Sequence, residues 1–234
     1  GYRALNWNLG CPFPMVANKG MGSGMLARPD LIDAFLHRVS GETDMHISIK
    51  MRLGYESKNE ILEVLPVLEK YPLSYIAIHP RIGKQLYKGE VDLDAFKACL
   101  NQSSHTVFYN GDIATVHRFR ELRDRFPGIR HWMIGRGLLA DPFLPAMIKA
   151  DDPAYPENRY ELLCAFHDTL FASYQEALSG PKHVLTKMHS LWEYLIASFP
   201  AYPRGLKRIR KAQSLQSYKE IVNGLFKEET PPIH

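Results

Sequence analysis

Five times in the first 150 residues a short β-like run is followed by a longer helical pattern. No other property of the chain narrows its fold as much. Consecutive parallel strands need a crossover of a dozen or more residues, and a helix is the usual one. The runs are ALNWNL (4–9), HISIKMR (46–52), SYIAIHP (74–80), HTVFYN (105–110) and HWMIG (131–135). Helices are expected near 29–39, 58–70, 92–100, 114–126 and 142–149. This pattern predicts a parallel α/β sheet or barrel. After the Pro-containing stretch DDPAYPEN (151–158) no convincing strand follows. Helices are expected near 159–178, 183–198, 203–212 and 215–226. In the first of these, Tyr160, Leu163, Phe166, His167, Leu170 and Tyr174 recur at helical spacing. The reading is two domains, 1–151 and an all-α 152–234.

Side chains alternate faces along a strand, so residue parity separates sheet from barrel. In the second run Ile47, Ile49 and Met51 share one face, and Ser48, Lys50 and Arg52 the other. In the third, Ile76 and Ile78 oppose Tyr75, Ala77, His79 and Arg81. In the first, Leu5, Trp7 and Leu9 oppose Ala4, Asn6 and Asn8, and in the fourth Asn110 ends the face of Thr106 and Phe108. The apolar faces should pack on helices. The other face carries polar groups toward the strand ends: Asn8, Lys50, Arg52, His79, Arg81 and Asn110. A doubly wound sheet would bury that face under helices too, where unpaired charges are costly. A (β/α)₈ TIM barrel instead gathers it round an axis, with the active site at the C-terminal ends of the strands. Parity favours the barrel.

The first strand runs into NWNLGCPFP, with Cys11 between Gly10 and Pro12. Cys11 is either a small buried hydrophobe or a reactive group at the mouth of a site, and the residues alone leave both open. Cys11, Cys99 and Cys164 are too few and too widely spaced for a disulfide framework or a zinc site, so a reducing, cytoplasmic setting and no metal are expected. No run of apolar residues is long enough to span a membrane. Net charge is +4, which permits a nucleic-acid partner without requiring one. The segment RGLKRIRK (204–211) holds five basic residues and no acid, with Arg204/Arg208 and Lys207/Lys211 four apart, so a helix would carry a basic band able to contact phosphates. The turns NGDI (110–113) and GRG (135–137) end the last two strands, where barrels commonly bind phosphate through backbone N–H groups and an arginine.

Taken together, NWNLGCP, NKGMGSGML before ARPDL, IKMRLG, IAIHPR, LYKGEVDLDAF, YNGDI and IGRG resemble, in order, the motifs of the tRNA-dihydrouridine synthases. These are flavin enzymes of (β/α)₈ fold with a helical C-terminal domain. KMHSLWEYL resembles their helical-domain signature more weakly. Two motifs depart from the family: Asn6 stands where Asp is usual, and His79-Pro80-Arg81-Ile82 where His-Gly-Arg-Thr is usual. The match begins at the family's fourth strand, so the chain is expected to hold strands four to eight plus the C-terminal domain.

The resemblance implies reduction of the uridine C5–C6 bond in tRNA, with FMN as cofactor and NADPH as reductant. It makes Cys11 the proton donor to C5. A cysteine thiol, with a reference pKa near ~8.5, is suited to that role. It assigns Lys50 and His79 to the flavin, and Asn110, Gly111, Asp112, Gly135 and Arg136 to the flavin phosphate. Asn8 borders flavin and uracil, and Arg81 holds flavin or RNA. In a tRNA enzyme, Lys207, Arg208 and Lys211 are expected to contact the RNA. Two rival readings are a flavin barrel reductase for a free small molecule, against which the basic segment argues, and an inactive RNA-binding fragment.

Overall fold

The computed structural model describes residues 1–202 and 204–229. Two compact units divide the chain, residues 1–112 with 121–134, and residues 113–120 with 135–234. The division passes through one helix.

The first unit is built on five parallel strands: β1 (Ala4–Leu9), β2 (His46–Gly54), β3 (Ile76–Ile82), β4 (Val107–Asn110) and β5 (His131–Met133). Their spatial order is their sequence order. A doubly wound sheet reverses direction at a switch point; this one does not, and its singly wound order is that of a barrel arc. The intervening helices are α1 (Pro14–Ala17), α2 (Pro29–Glu42), α3 (Glu60–Leu68), α4 (Leu93–Gln102) and α5 (Val116–Arg125).

Burial follows the expected parity. Ile47, Ile49, Met51, Ile76, Ile78 and Tyr109 are buried on the helix side with Ile32 and Leu36 of α2, Val64 and Leu65 of α3, and Phe96 of α4. Each fully buried aliphatic side chain contributes about 1.5–3 kcal/mol. The other face is lined near its N-terminal end by a stack of rings, Tyr75 on Phe108 at 4.2 Å between centroids and Phe108 on His131 at 4.4 Å. Beside it, Asn6 donates to Ser48 Oγ at 2.9 Å. The C-terminal half of that face is polar.

The Gly-rich stretch after α1 is folded: Gly22–Ala27 forms a 3-10 turn packed under the end of β1. Two strand ends differ from the expectations. β3 runs through Pro80 to Ile82 rather than stopping at residue 80. The β3–β4 pairing ends at Ile78–Tyr109, and the β2–β3 register shifts between Arg52 and Gly54. The missing Pro80 N–H therefore falls at an irregularity, where proline is tolerated. β5 ends at Met133, not 135.

The second unit holds α6 (Arg136–Ala140), α7 (Leu144–Ala150), α8 (Arg159–Ala177), α9 (Pro181–Leu195), α10 (Gly205–Arg210) and α11 (Leu215–Glu229). α9 supplies the largest share of the core: Val184, Leu185, Met188, Leu191, Trp192 and Leu195 lie on one face and are all buried. In α8 the buried stripe is Leu163, His167 and Phe171, while Phe166, expected inside, is 40% exposed. The Leu163–His167–Phe171 spacing keeps one face on α9 and turns Phe166 outward. Residues 152–158 lack regular structure but are tied down: Tyr155 OH donates to Asp141 at 2.7 Å, and the Arg159 guanidinium lies 3.7 Å from the Tyr155 ring centroid. The expected start of the basic helix at residue 203 lies outside the described residues; α10 is six residues long and ends at Arg210.

Tyr218 of α11 sits at the centre of this core. Its hydroxyl accepts from Trp192 Nε1 at 2.8 Å and lies 2.7 Å from His167 Nε2. The Asp168 carboxylate, 2.9 Å from His167 Nδ1, can only accept, so the imidazole proton sits on Nδ1 and Nε2 of the neutral ring accepts the Tyr218 hydroxyl proton.

Candidate active site at the strand mouths

β1 ends at the buried Leu9, and the chain turns at Gly10, whose N–H donates to Asn8 Oδ1 at 2.9 Å. Cys11 follows, half-buried and free. Its carbonyl accepts from Ser23 twice, from N–H at 3.0 Å and from the hydroxyl at 2.9 Å. The approach requires glycine at 22, where φ is +56° and a Cβ would come within 2.8 Å of the Cys11 oxygen.

The neighbouring strands bring cations to the same end of the sheet. Register places Lys50 opposite Asn8, and Arg52 opposite His79. Arg52 is 1% exposed, donates to the Ile82 carbonyl at 2.8 Å, and lies 5.2 Å from the Tyr87 ring centroid. Arg81, 2% exposed, donates to both carboxylate oxygens of Asp112 and to the Gly89 carbonyl. Its Nη1 also approaches His79 Nε2 at 3.2 Å. A guanidinium has no acceptor, so His79 Nε2 accepts and the neutral ring carries its proton on Nδ1. Burial, and then the charges of Arg52, Lys50 and Arg81, push the His79 pKa down to about 3; Asp112 alone opposes them. Burial, then Arg52, also lowers the pKa of Lys50. Three cations and one carboxylate thus bear on one imidazole, and the buried Arg81 Nε has no hydrogen-bond partner among the described residues. An orphaned guanidinium donor beside these cations fits a bound group that offers an acceptor at this end of the sheet.

The turn after β4 has structural roles of its own. Asn110 Nδ2 donates to the Met133 carbonyl at 2.8 Å and joins β4 to β5. Gly111 is closely hemmed, since a Cβ there would come within 3.0 Å of Val91. Asp112 adopts φ +46° and is the carboxylate that balances Arg81. Breaking a buried pair by neutralising one partner costs about 3–5 kcal/mol. Asp112→Asn is therefore expected to destabilise the chain by at least about 2 kcal/mol, since Asp112 is partly exposed. Denaturant melts showing no loss would contradict that balance.

Gly135 and Arg136 belong to the second unit, at the start of α6. Gly135 faces open space, whereas Gly137 is needed for contact, because a Cβ there would lie 2.0 Å from the Ile113 carbonyl oxygen. In the basic segment Arg210 is bound to Glu193, with Nε to Oε1 at 2.7 Å. Arg204, Lys207, Arg208 and Lys211 are exposed and have no acidic partner among the described residues.

Two residues of this site, Tyr87 and Ser23, were not singled out from the sequence, whereas parity already placed Arg52 on the polar face. Tyr87, 46% exposed, reaches back over Arg52 and lies 6.3 Å from the His79 ring, from a loop strained at Leu86 with φ +53°. No spacing rule links it to β2. Ser23 sits in the Gly-rich stretch NKGMGSGML, where no spacing rule picks it out. A cavity of about 440 Å³ at the other, N-terminal ends of β4 and β5 is lined by His105, Arg130 and His131, and none of the site residues enters it.

A family model described as dihydrouridine synthase matches residues 1–217. The chain is 31% identical over 145 residues to tRNA-dihydrouridine synthase B of Pasteurella multocida (strain Pm70), covering 62% of this chain and 43% of that one. It is 31% identical over 145 residues to the protein of that name from Pseudomonas putida, with 62% and 43% covered. To that of Yersinia pestis it is 30% identical over 145 residues, with 62% and 45% covered. The chain spans less than half the length of these curated relatives.

Proposed function

Because the chain belongs to the dihydrouridine synthase family, we propose that it carries out the family's reaction on tRNA, the reduction of a uridine C5–C6 bond. The observation that carries the reading is a half-buried thiol, Cys11, at the same sheet end as the half-buried Lys50 and the buried cations Arg52 and Arg81. Reduction adds a hydride at C6 and a proton at C5 while NADPH becomes NADP⁺. FMN, when bound, would supply the hydride chemistry. Lys50, His79 and the turn Asn110–Gly111–Asp112 are the residues of the first unit that would hold it, with Lys50 favouring the negative charge of the reduced ring. His79, neutral and fixed by Arg81, serves as a hydrogen-bonding group rather than an acid. Cys11 delivers the proton to C5. Asn8, its oxygen already taken by Gly10, offers its N–H₂ to the base, and Arg81 and Arg52 keep the mouth positive toward the RNA backbone.

A uridine inside folded RNA must leave its stack to reach these groups, at a cost of a few kcal/mol. The domain 152–234 is our proposed tRNA-binding element, supported by its unpaired cations. Changing Lys207, Arg208 and Lys211 together to alanine is expected to weaken tRNA binding and to reduce the log Kd–log salt slope by about 2–3. An unchanged slope would remove this segment from the interface. An enzyme acting on tRNA in this way would work in the cytoplasm.

The test of the function is direct. Unmodified tRNA incubated with the chain, FMN and NADPH should gain two hydrogens on a uridine, read by nucleoside mass spectrometry. NADPH-dependent reduction of free uridine as fast as tRNA would favour a small-molecule reductase instead.

A further inference from the structure

Ser23 is fully buried, and both of its donors are committed to one acceptor, the Cys11 carbonyl. One N–H would satisfy that oxygen but would leave the peptide free to rock about the bond. A second donor on the same oxygen restrains the peptide plane and, with it, the direction of the Cys11 Cα–Cβ bond. The hydroxyl has little freedom to turn elsewhere. A Cβ on Gly83 would lie 2.6 Å from Ser23 Oγ, and one on Gly24 2.1 Å from the Ala17 carbonyl oxygen, so the Gly22–Ser23–Gly24 turn is wedged in place. On the other side of Cys11, the Gly10 N–H is held by Asn8. The peptide carrying the thiol is therefore gripped from both directions.

We propose that Ser23 is a positioning residue for Cys11, aiming its thiol at the reacting carbon; the proposal rests on the reading of Cys11 as proton donor. Displacing a reacting group by about an ångström can cost up to about 100-fold in rate.

The test compares Ser23→Ala, Ser23→Thr and Cys11→Ala in the full chain. Ser23→Ala is expected to lower kcat about tenfold with KM for tRNA unchanged, and to raise the solvent deuterium isotope effect as proton delivery becomes limiting. Ser23→Thr, which keeps the hydroxyl, should restore both. A second readout needs no cofactor. Iodoacetamide alkylation of Cys11, followed by mass spectrometry, should change severalfold in Ser23→Ala while Cys164, the internal reference, is unchanged. Wild-type kcat, isotope effect and Cys11 alkylation in Ser23→Ala would overturn the proposal. If the alanine variant does not fold, Ser23→Gly removes the same hydroxyl and carries the same two outcomes. Full activity in Cys11→Ala would instead overturn the reading of Cys11, and the alkylation comparison would still decide whether Ser23 aims the thiol.

Discussion

Cys11→Ala is expected to lower the rate of dihydrouridine formation by about 10²- to 10⁴-fold, the range that a positioned general acid supplies. The fold should be unaffected. Cys11 is half-buried, its side chain is not part of the buried core, and both hydrogen bonds from Ser23 go to its backbone carbonyl. Binding of tRNA should also persist, because the cations proposed to hold it lie on other residues. Cys11→Ser separates two explanations of a loss. A serine hydroxyl matches the thiol closely in shape but is a far weaker acid, so an acid role leaves this variant slow as well. A merely space-filling role would leave it near wild type. Single-turnover formation of dihydrouridine within about tenfold of wild type in Cys11→Ala would remove Cys11 from the chemistry.

Tyr218→Phe is expected to cost about 3 kcal/mol of stability. The change deletes one oxygen from the centre of the helical core, yet it strands two groups at once. Trp192 Nε1 keeps its proton with nothing to receive it, and His167 Nε2 keeps its lone pair with no donor. Each buried orphan costs about 1–3 kcal/mol. At the slope typical of a chain this size, the melting temperature should fall by about 6–12 °C. Calorimetry on the full chain measures this, and a shift under about 2 °C would show that water or a rearranged side chain satisfies both groups. The same network gives the core an acid limit. Burial lowers the His167 pKa, against the opposing pull of Asp168. The unfolded chain then takes up a proton near pH ~6.5 that the folded core resists. This contribution is complete above that pH and is lost progressively as pH falls below it.

Much of the first unit was legible because strand parity is a local rule. Ile47, Ile49 and Met51 face the helices, while Lys50, Arg52, His79 and Arg81 share the other face. That parity also argued correctly against a doubly wound sheet. What stayed hidden depends on contacts between residues far apart in the chain. Tyr87 over Arg52 and Asp112 under Arg81 are pairings across loops, where no periodicity operates. The GSG turn at 22–24 has the composition of a flexible loop, yet its glycines are there because backbone approaches backbone too closely for a Cβ. In the helical unit Arg210 counted as one cation of five, but Glu193, seventeen residues earlier, removes it from the band. Phe166 and Phe171 are both plausible core residues on a helix that is apolar on more than one side, and only the packing against α9 chooses between them.

The agreement of spatial with sequence order in the sheet bears on how the protein is made. As the chain leaves the ribosome, every strand after the first finds its hydrogen-bonding neighbour already synthesised, a few tens of residues behind it. No strand has to wait for a later one to be inserted beside it, as a switch-point topology demands. The sheet can therefore grow at one edge, with each new strand docking on the last and its helix closing over the joint. Loop-closure entropy is met in small, similar steps instead of one large one. Each docking step then covers the edge that the previous strand exposed, which limits the time it is open to misassembly.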